Sequence, residues 1–96
     1  MVQIEWTEEA ENDLDDIIAY ISKSSQQYAK TLFENIIESI EYLKQFPKIG
    51  RKVPESKNPR DREILIQKYR IIYHYNEEEQ QIHIKMIIHG SRLLKI

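Results

Sequence analysis

Three histidines, His74, His83 and His89, and a set of arginines are the residues of this 96-residue chain best suited to chemistry. His89 stands in Ile-Ile-His-Gly-Ser-Arg (87–92), where a titratable ring, a glycine, a hydroxyl and a fixed positive charge close a run of strand formers. Imidazole can give or take a proton near neutral pH. Arginine stays protonated, so it clamps carboxylates or phosphates but is a poor base. Thiolate chemistry is excluded, because there is no cysteine to form a disulfide or a zinc site. Metal binding is not expected either. His83 and His89 are six strand positions apart, roughly 20 Å at about 3.3 Å per residue. His74 and His83 could face each other across two strands, but no third ligand is evident. No cofactor is implied.

Fixed charge is unevenly spread. Residues 1–46 hold three basic and ten acidic side chains, a net of −7, whereas residues 47–96 hold eleven basic and six acidic ones, a net of +5. Such asymmetry points to one surface that meets an anionic partner. Much of the positive charge lies in PKIGRKVPESKNPRDR, residues 47–62, with Lys48, Arg51, Lys52, Lys57, Arg60 and Arg62 set against Glu55 and Asp61. A connection this long without secondary structure of its own is uncommon and usually functional or mobile.

The elements that must position these groups are legible in the periodicity. Val2–Trp6 alternates apolar with polar, a short strand with one buried face. Thr7 then caps a helix whose first turn carries Glu8 and Glu9. Ala10, Leu14, Ile17, Ile18 and Ile21 form its apolar stripe, and Ala29, Leu32, Phe33, Ile36, Ile37, Ile40 and Leu43 form a second one, ended by Phe46-Pro47. The short Ser24–Gln27 break makes the pair an antiparallel hairpin. Glu63–Gln67, Tyr69–Tyr75 and Gln81–His89 are strand candidates. The expected fold is α+β: a single domain over residues 1–96, a two-helix hairpin packed on one face of a mostly antiparallel sheet. The acidic N-terminus does not resemble a signal peptide, and no apolar run reaches the roughly 20 residues of a membrane-spanning helix.

Alternation in the last hairpin sorts the charges. If Tyr75 pairs with Ile82 across the polar turn, Tyr73 meets Ile84, Ile71 meets Met86 and Tyr69 meets Ile88. These apolar sets then lie beneath the helices. The open face collects Arg70, His74, His83, Lys85 and His89, and Gly90 lets the chain turn so that Arg92 points back toward them.

FPKIGRKVPE (46–55), the glutamate of RDREILI (60–66), KYRIIYHY (68–75) and IIHGSRLL (87–94), in that order after a helical hairpin, resemble the RelE/ParE superfamily of toxins from bacterial type II toxin–antitoxin modules. The opening IEWTEEAENDLDDIIAYI looks like the first strand and helix of its ParE-like, plasmid-stabilisation branch. The resemblance implies a cytoplasmic toxin, neutralised by a cognate antitoxin that wraps it with an otherwise disordered segment. Arg51, Lys52, Arg60, Arg62, Arg70, His74, Lys85, His89 and Arg92 are the expected partner-binding set. ParE-like members inhibit DNA gyrase by binding, and that is the expected activity. The alternative is a RelE-like ribonuclease that cuts messenger RNA on the ribosome. There Arg70 and Arg92 would hold the phosphate and His89, alone or with Glu55, would replace the tyrosine that the RelE branch carries beyond Arg92. A third possibility is a non-toxic relative that only binds an antitoxin.

Overall fold

The computed structural model describes residues 1–92. The last two residues of IIHGSRLL lie outside that range. Among the described residues seven elements follow in order: β1 (Gln3–Trp6), α1 (Glu8–Ser22), α2 (Gln26–Tyr42), β2 (Arg51–Lys52), β3 (Asp61–Ile66), β4 (Tyr69–Asn76) and β5 (Gln81–His89). The sheet order is β1-β5-β4-β3-β2; β1 runs parallel to β5 and every other pair is antiparallel. The α+β architecture with both helices on one face is as expected. The connection 47–62, read as free of secondary structure, contains β2, which pairs with β3.

Local chemistry explains the helix starts. Thr7 Oγ1 accepts the Ala10 amide and Ser25 Oγ accepts the Tyr28 amide, each satisfying one orphan donor of a first turn. Leu14 of α1 and Leu32, Ile36 and Ile40 of α2 are buried against Ile71, Tyr73, Tyr75, Ile82, Ile84 and Ile87 of the sheet. Burying a large aliphatic side chain stabilises the fold by roughly 1.5–3 kcal/mol. This cluster therefore drives the helices onto the sheet.

The β4–β5 register departs from simple alternation. Tyr75 meets Ile82 and Tyr73 meets Ile84 as expected, but Ile72 then meets Met86, Ile71 meets Ile87, Arg70 meets Ile88 and Tyr69 meets His89. Lys85 is an extra residue in β5, a β-bulge opposite the Ile72/Tyr73 step. Beyond it the side-chain phase reverses. Ile87, which strict alternation with Lys85 and His89 would put on the open face, is 2% exposed in the core, and His89 moves to the helix side of the sheet beside Tyr69. The bulge sits where β1 gives way to α1. The Thr7 hydroxyl lies 3.0 and 2.9 Å from the carbonyls of Ile84 and Lys85, and Asp13 accepts the Ile87 amide at 3.0 Å. The cap residue Thr7 and the helix residue Asp13 thus satisfy strand groups that β1 is too short to reach.

The start of the long connection is fixed by close approach. Tyr73 Oη donates to the Pro47 carbonyl and accepts the Gly50 amide, while Arg62 Nη1 donates to the carbonyls of Lys48 and Gly50. A Cβ on Gly50 would lie 2.5 Å from Tyr73 Oη and 2.8 Å from the Glu63 carbonyl. Gly50→Ala should therefore destabilise the protein by about 1–3 kcal/mol. Adding Tyr73→Phe should make the double variant less unstable than the sum of the two single changes, because the clashing oxygen is gone; thermal unfolding of the four proteins checks this.

Candidate functional site

The sheet face away from the helices is not the solvated surface that alternation implies. Four of its residues are buried: Asp61, Glu63, Arg70 and Ile72. The segment following β2 lies across them. Glu55 reaches Arg70 and Ser56 reaches Asp61. Val53, on the same segment, is buried, and both it and Ile72 stand outside the core cluster beneath the helices. The basic loop is therefore a second layer over half of the open face.

Two charge networks lie under and beside that layer. The first is centred on Glu63 in β3, whose side chain is fully inaccessible. Its carboxylate accepts from Arg51 Nε of β2 on one oxygen and from Arg70 Nε of β4 at 2.8 Å on the other. The Arg70 guanidinium then meets the Glu55 carboxylate with both terminal nitrogens, at 2.7 and 2.8 Å, and Nη1 also donates to the Arg92 carbonyl at 3.0 Å. Hydrogen bonds to Glu55 raise the guanidinium's proton affinity. Burial opposes this, and Glu63 adds to the rise, so the net shift is upward from an already high value. Two arginines and two carboxylates balance in charge, as a buried ionic cluster requires.

The second network is a row across the strands. Asp61 pairs with His74, His74 with His83, and His83 with Glu5. His74 Nδ1 is 3.0 Å from Asp61 Oδ1, His83 Nε2 is 3.2 Å from Glu5, and the bulged Lys85 brings Nζ to 3.5 Å from Asp61. Burial alone would raise the Asp61 pKa. Hydrogen bonds from Ser56 and His74 and the charge of Lys85 outweigh it, and the net shift is downward. The pairing can orient His74 for proton transfer, although among the described residues no group of three or more His, Cys, Asp or Glu could hold a metal.

The expected site residues are accordingly divided. Arg70, His74, Lys85 and Arg51 share the open face, but Arg70 is only 5% exposed and saturated by carboxylates. His89 is on the opposite side of the sheet, its Nδ1 2.8 Å from Ser91 Oγ, because the Lys85 bulge reversed its phase. Gly90 does sit in a turn, but what that turn brings to Arg70 is the Arg92 backbone carbonyl. Glu55 lies on Arg70 and not beside His89, so the pair suggested for acid–base work is not assembled. Arg62 points to the helix side and holds the 48–50 turn, Lys52 is exposed, and Arg60 pairs with Glu78 at the surface. Glu63 and Asp61 were missed as organising residues. The available signal was their alternation in β3: Asp61 pairs with His74, and Glu63 faces Ile72, one pair along from Arg70 on the same face.

A family model described as "ParE toxin of type II toxin-antitoxin system, parDE" matches residues 4–94. No curated protein sequence matches. Among solved structures, the chain is similar to one from a chromosomal ParDE toxin–antitoxin system of P. aeruginosa, at 23% identity and TM-score 0.74, covering 95% of this chain and 98% of that one. It is similar in fold to a chain of the RelBE2 toxin–antitoxin complex of Mycobacterium tuberculosis, at 17% identity and TM-score 0.61, covering 92% and 96%. It is also similar in fold to the isolated E. coli RelE toxin, at 15% identity and TM-score 0.60, covering 97% and 88%.

Two outcomes follow from the networks. Glu63→Ala leaves two arginines facing a void and should cost about 3–5 kcal/mol of stability, measured by urea unfolding. Asp61, with its pKa lowered from 3.8, contributes stability that is present above that value and is lost as pH falls through the lower, folded-state pKa. The stability gap between wild type and Asp61→Asn should therefore be largest above about pH 4 and narrow on further acidification. A gap unchanged down to pH 2 would contradict the assignment.

Proposed function

We propose a function from one premise: the chain belongs to the ParE toxin family of type II toxin–antitoxin systems. It is a toxin of that class; how it acts on its host is our reading. The toxin works in the cytoplasm by binding a host protein, with DNA gyrase as the target, and a cognate antitoxin neutralises it. Among the described residues no helix is long and apolar enough to cross a membrane, which fits such a partner set.

The observation that carries the binding reading is the state of Arg70. A guanidinium that is to stabilise the developing charge of a scissile phosphate must present free donors at the reacting oxygen. Here Nε, Nη1 and Nη2 of Arg70 are all committed, to Glu63, Glu55 and the Arg92 carbonyl. His89, the proton carrier suggested for a nuclease, lies across the sheet from it. Among the described residues, the clamp Arg70 and the proton carrier His89 suggested for a nuclease are not gathered at one point, whereas a binding toxin needs no such convergence. Exposed cations remain for recognition: Arg51, Lys52, Arg60 and Arg92 are all accessible.

Purified toxin should inhibit supercoiling by gyrase, and translating ribosomes supplied with messenger RNA should show no new cuts positioned by the ribosome. Ribosome-positioned cleavage together with unimpaired supercoiling would overturn the proposal in favour of the RelE-like activity.

A further inference from the structure

Three segments of the chain bring charge to one corner of the sheet, where α2 has already ended. Lys52 of β2 pairs directly with Arg62 of β3, and Arg62 pairs with Tyr73 of β4, whose side chain is buried in the core beneath the helices. Directly paired residues share a face, so Lys52 and Arg62 both lie on the helix side. Arg60 precedes Arg62 by two positions, and its carbonyl accepts the Tyr75 amide of β4. The 47–50 turn, held by Tyr73 and Arg62, adds Lys48. The polar turn between β4 and β5 adds Glu77 and Glu78. These six residues line a cavity of about 430 Å³.

Its charges do not balance. Glu77 lies 2.9 Å from Lys48 Nζ, and Glu78 lies 3.1 Å from Arg60 Nη2. Both carboxylates are thus taken by the outer cations, and the inner pair is left over. Lys52 meets no carboxylate among the described residues, and Arg62 uses only Nη1, on the carbonyls of Lys48 and Gly50. Like charges set directly opposite each other on two strands destabilise a sheet. No described residue offsets that cost for Lys52 and Arg62, whereas Arg51, the neighbour of Lys52 on the other face, has Glu63.

We infer that this cavity binds a phosphate dianion, free or carried on a small molecule. Four cations against two carboxylates leave an excess of two positive charges. A carboxylate would neutralise only one of them. A phosphate monoester carries roughly −1.5 to −2 at pH 7 and has three strong acceptor oxygens, so it matches the excess. Lys52 supplies a point charge and Arg62 its uncommitted nitrogens, while Lys48 and Arg60 stand to the sides. The volume lies toward the small end of ligand pockets, which suits a compact ligand. A polynucleotide fits worse, because Glu77, Glu78 and Glu79 stand together in the adjoining turn and repel the phosphates that would follow the first. The inference goes beyond the gyrase reading and does not rest on it.

The test titrates isotopically labelled toxin in phosphate-free buffer at constant ionic strength. The probes are inorganic phosphate, adenosine 5′-monophosphate, the methyl ester of that monophosphate, a blocked triglutamate peptide and a single-stranded oligonucleotide lacking terminal phosphates. Inorganic phosphate or the monophosphate should shift the Lys52 and Arg62 amides saturably, with a Kd on the order of 1 mM. Whichever of the two binds more tightly identifies the source of the dianion. The methyl ester, a monoanion, should bind at least about fivefold more weakly than the monophosphate. Lys52→Glu should weaken dianion binding about tenfold or more with the melting temperature unchanged. Lys57→Glu, at an exposed position of the same loop outside the cavity, should leave binding intact. Shifts that never saturate, equal binding of the monophosphate and its methyl ester, or full binding by Lys52→Glu would each overturn the inference. Tighter binding of the peptide or the oligonucleotide than of either dianion would also overturn it, in favour of a protein or nucleic-acid partner.

Discussion

One inserted residue decides what each face of this sheet carries. Lys85 has no partner in β4, and from that point the side chains of β5 point opposite to the direction that strict alternation assigns. The core gains Ile87 and the open face gains Ile88, while His89 leaves the company of Arg70. The insertion is held by bonds from Thr7 and Asp13, which stand where β1 has already ended. A short first strand, a capped helix and a bulge in the last strand are therefore one arrangement. It exists because strand carbonyls and amides beyond Trp6 still need partners.

The second constraint is the burial of charge under a loop. Glu63 is inaccessible and lies between two guanidiniums, and Glu55 closes over the second of these from the covering segment. Removing a partner from such a cluster costs more than forming it contributes, since the remaining charge stays desolvated. The network consequently acts as a lock on the 51–60 segment. It also separates what a residue is from what it is available for. Arg70 is the kind of residue that grips phosphate, yet its donors are already spent within the fold.

The chain shares its fold with both ParDE and RelBE proteins at identities of 15–23%. Fold alone does not choose an activity, and the site must be argued from its own groups. Here the cations left accessible are distributed along the rim and edge of the sheet. That distribution is what the proposed binding activity rests on.

Much of this was legible in the residues alone. Helical spacing of Leu14, Ile17 and Ile21, and of Leu32, Ile36 and Ile40, determined two amphipathic helices, because a stripe at that period has no stable solvated alternative. Alternation from Tyr69 to Tyr75 determined a strand with Tyr73 and Tyr75 inward, and the polar turn at 76–80 set the first pairs of the hairpin. The phase beyond Tyr73 was not legible. No glycine or proline marks the bulge, and its cause lies with Thr7, 77 and 78 positions away from the carbonyls it meets. The covering loop was likewise hidden, since irregular backbone carries no period from which burial can be read. Composition and spacing thus indicated both helices, every strand but β2, and the sides that face the helices as far as the bulge. Only the tertiary structure decided which charges remain free, because that depends on contacts between segments far apart in the chain.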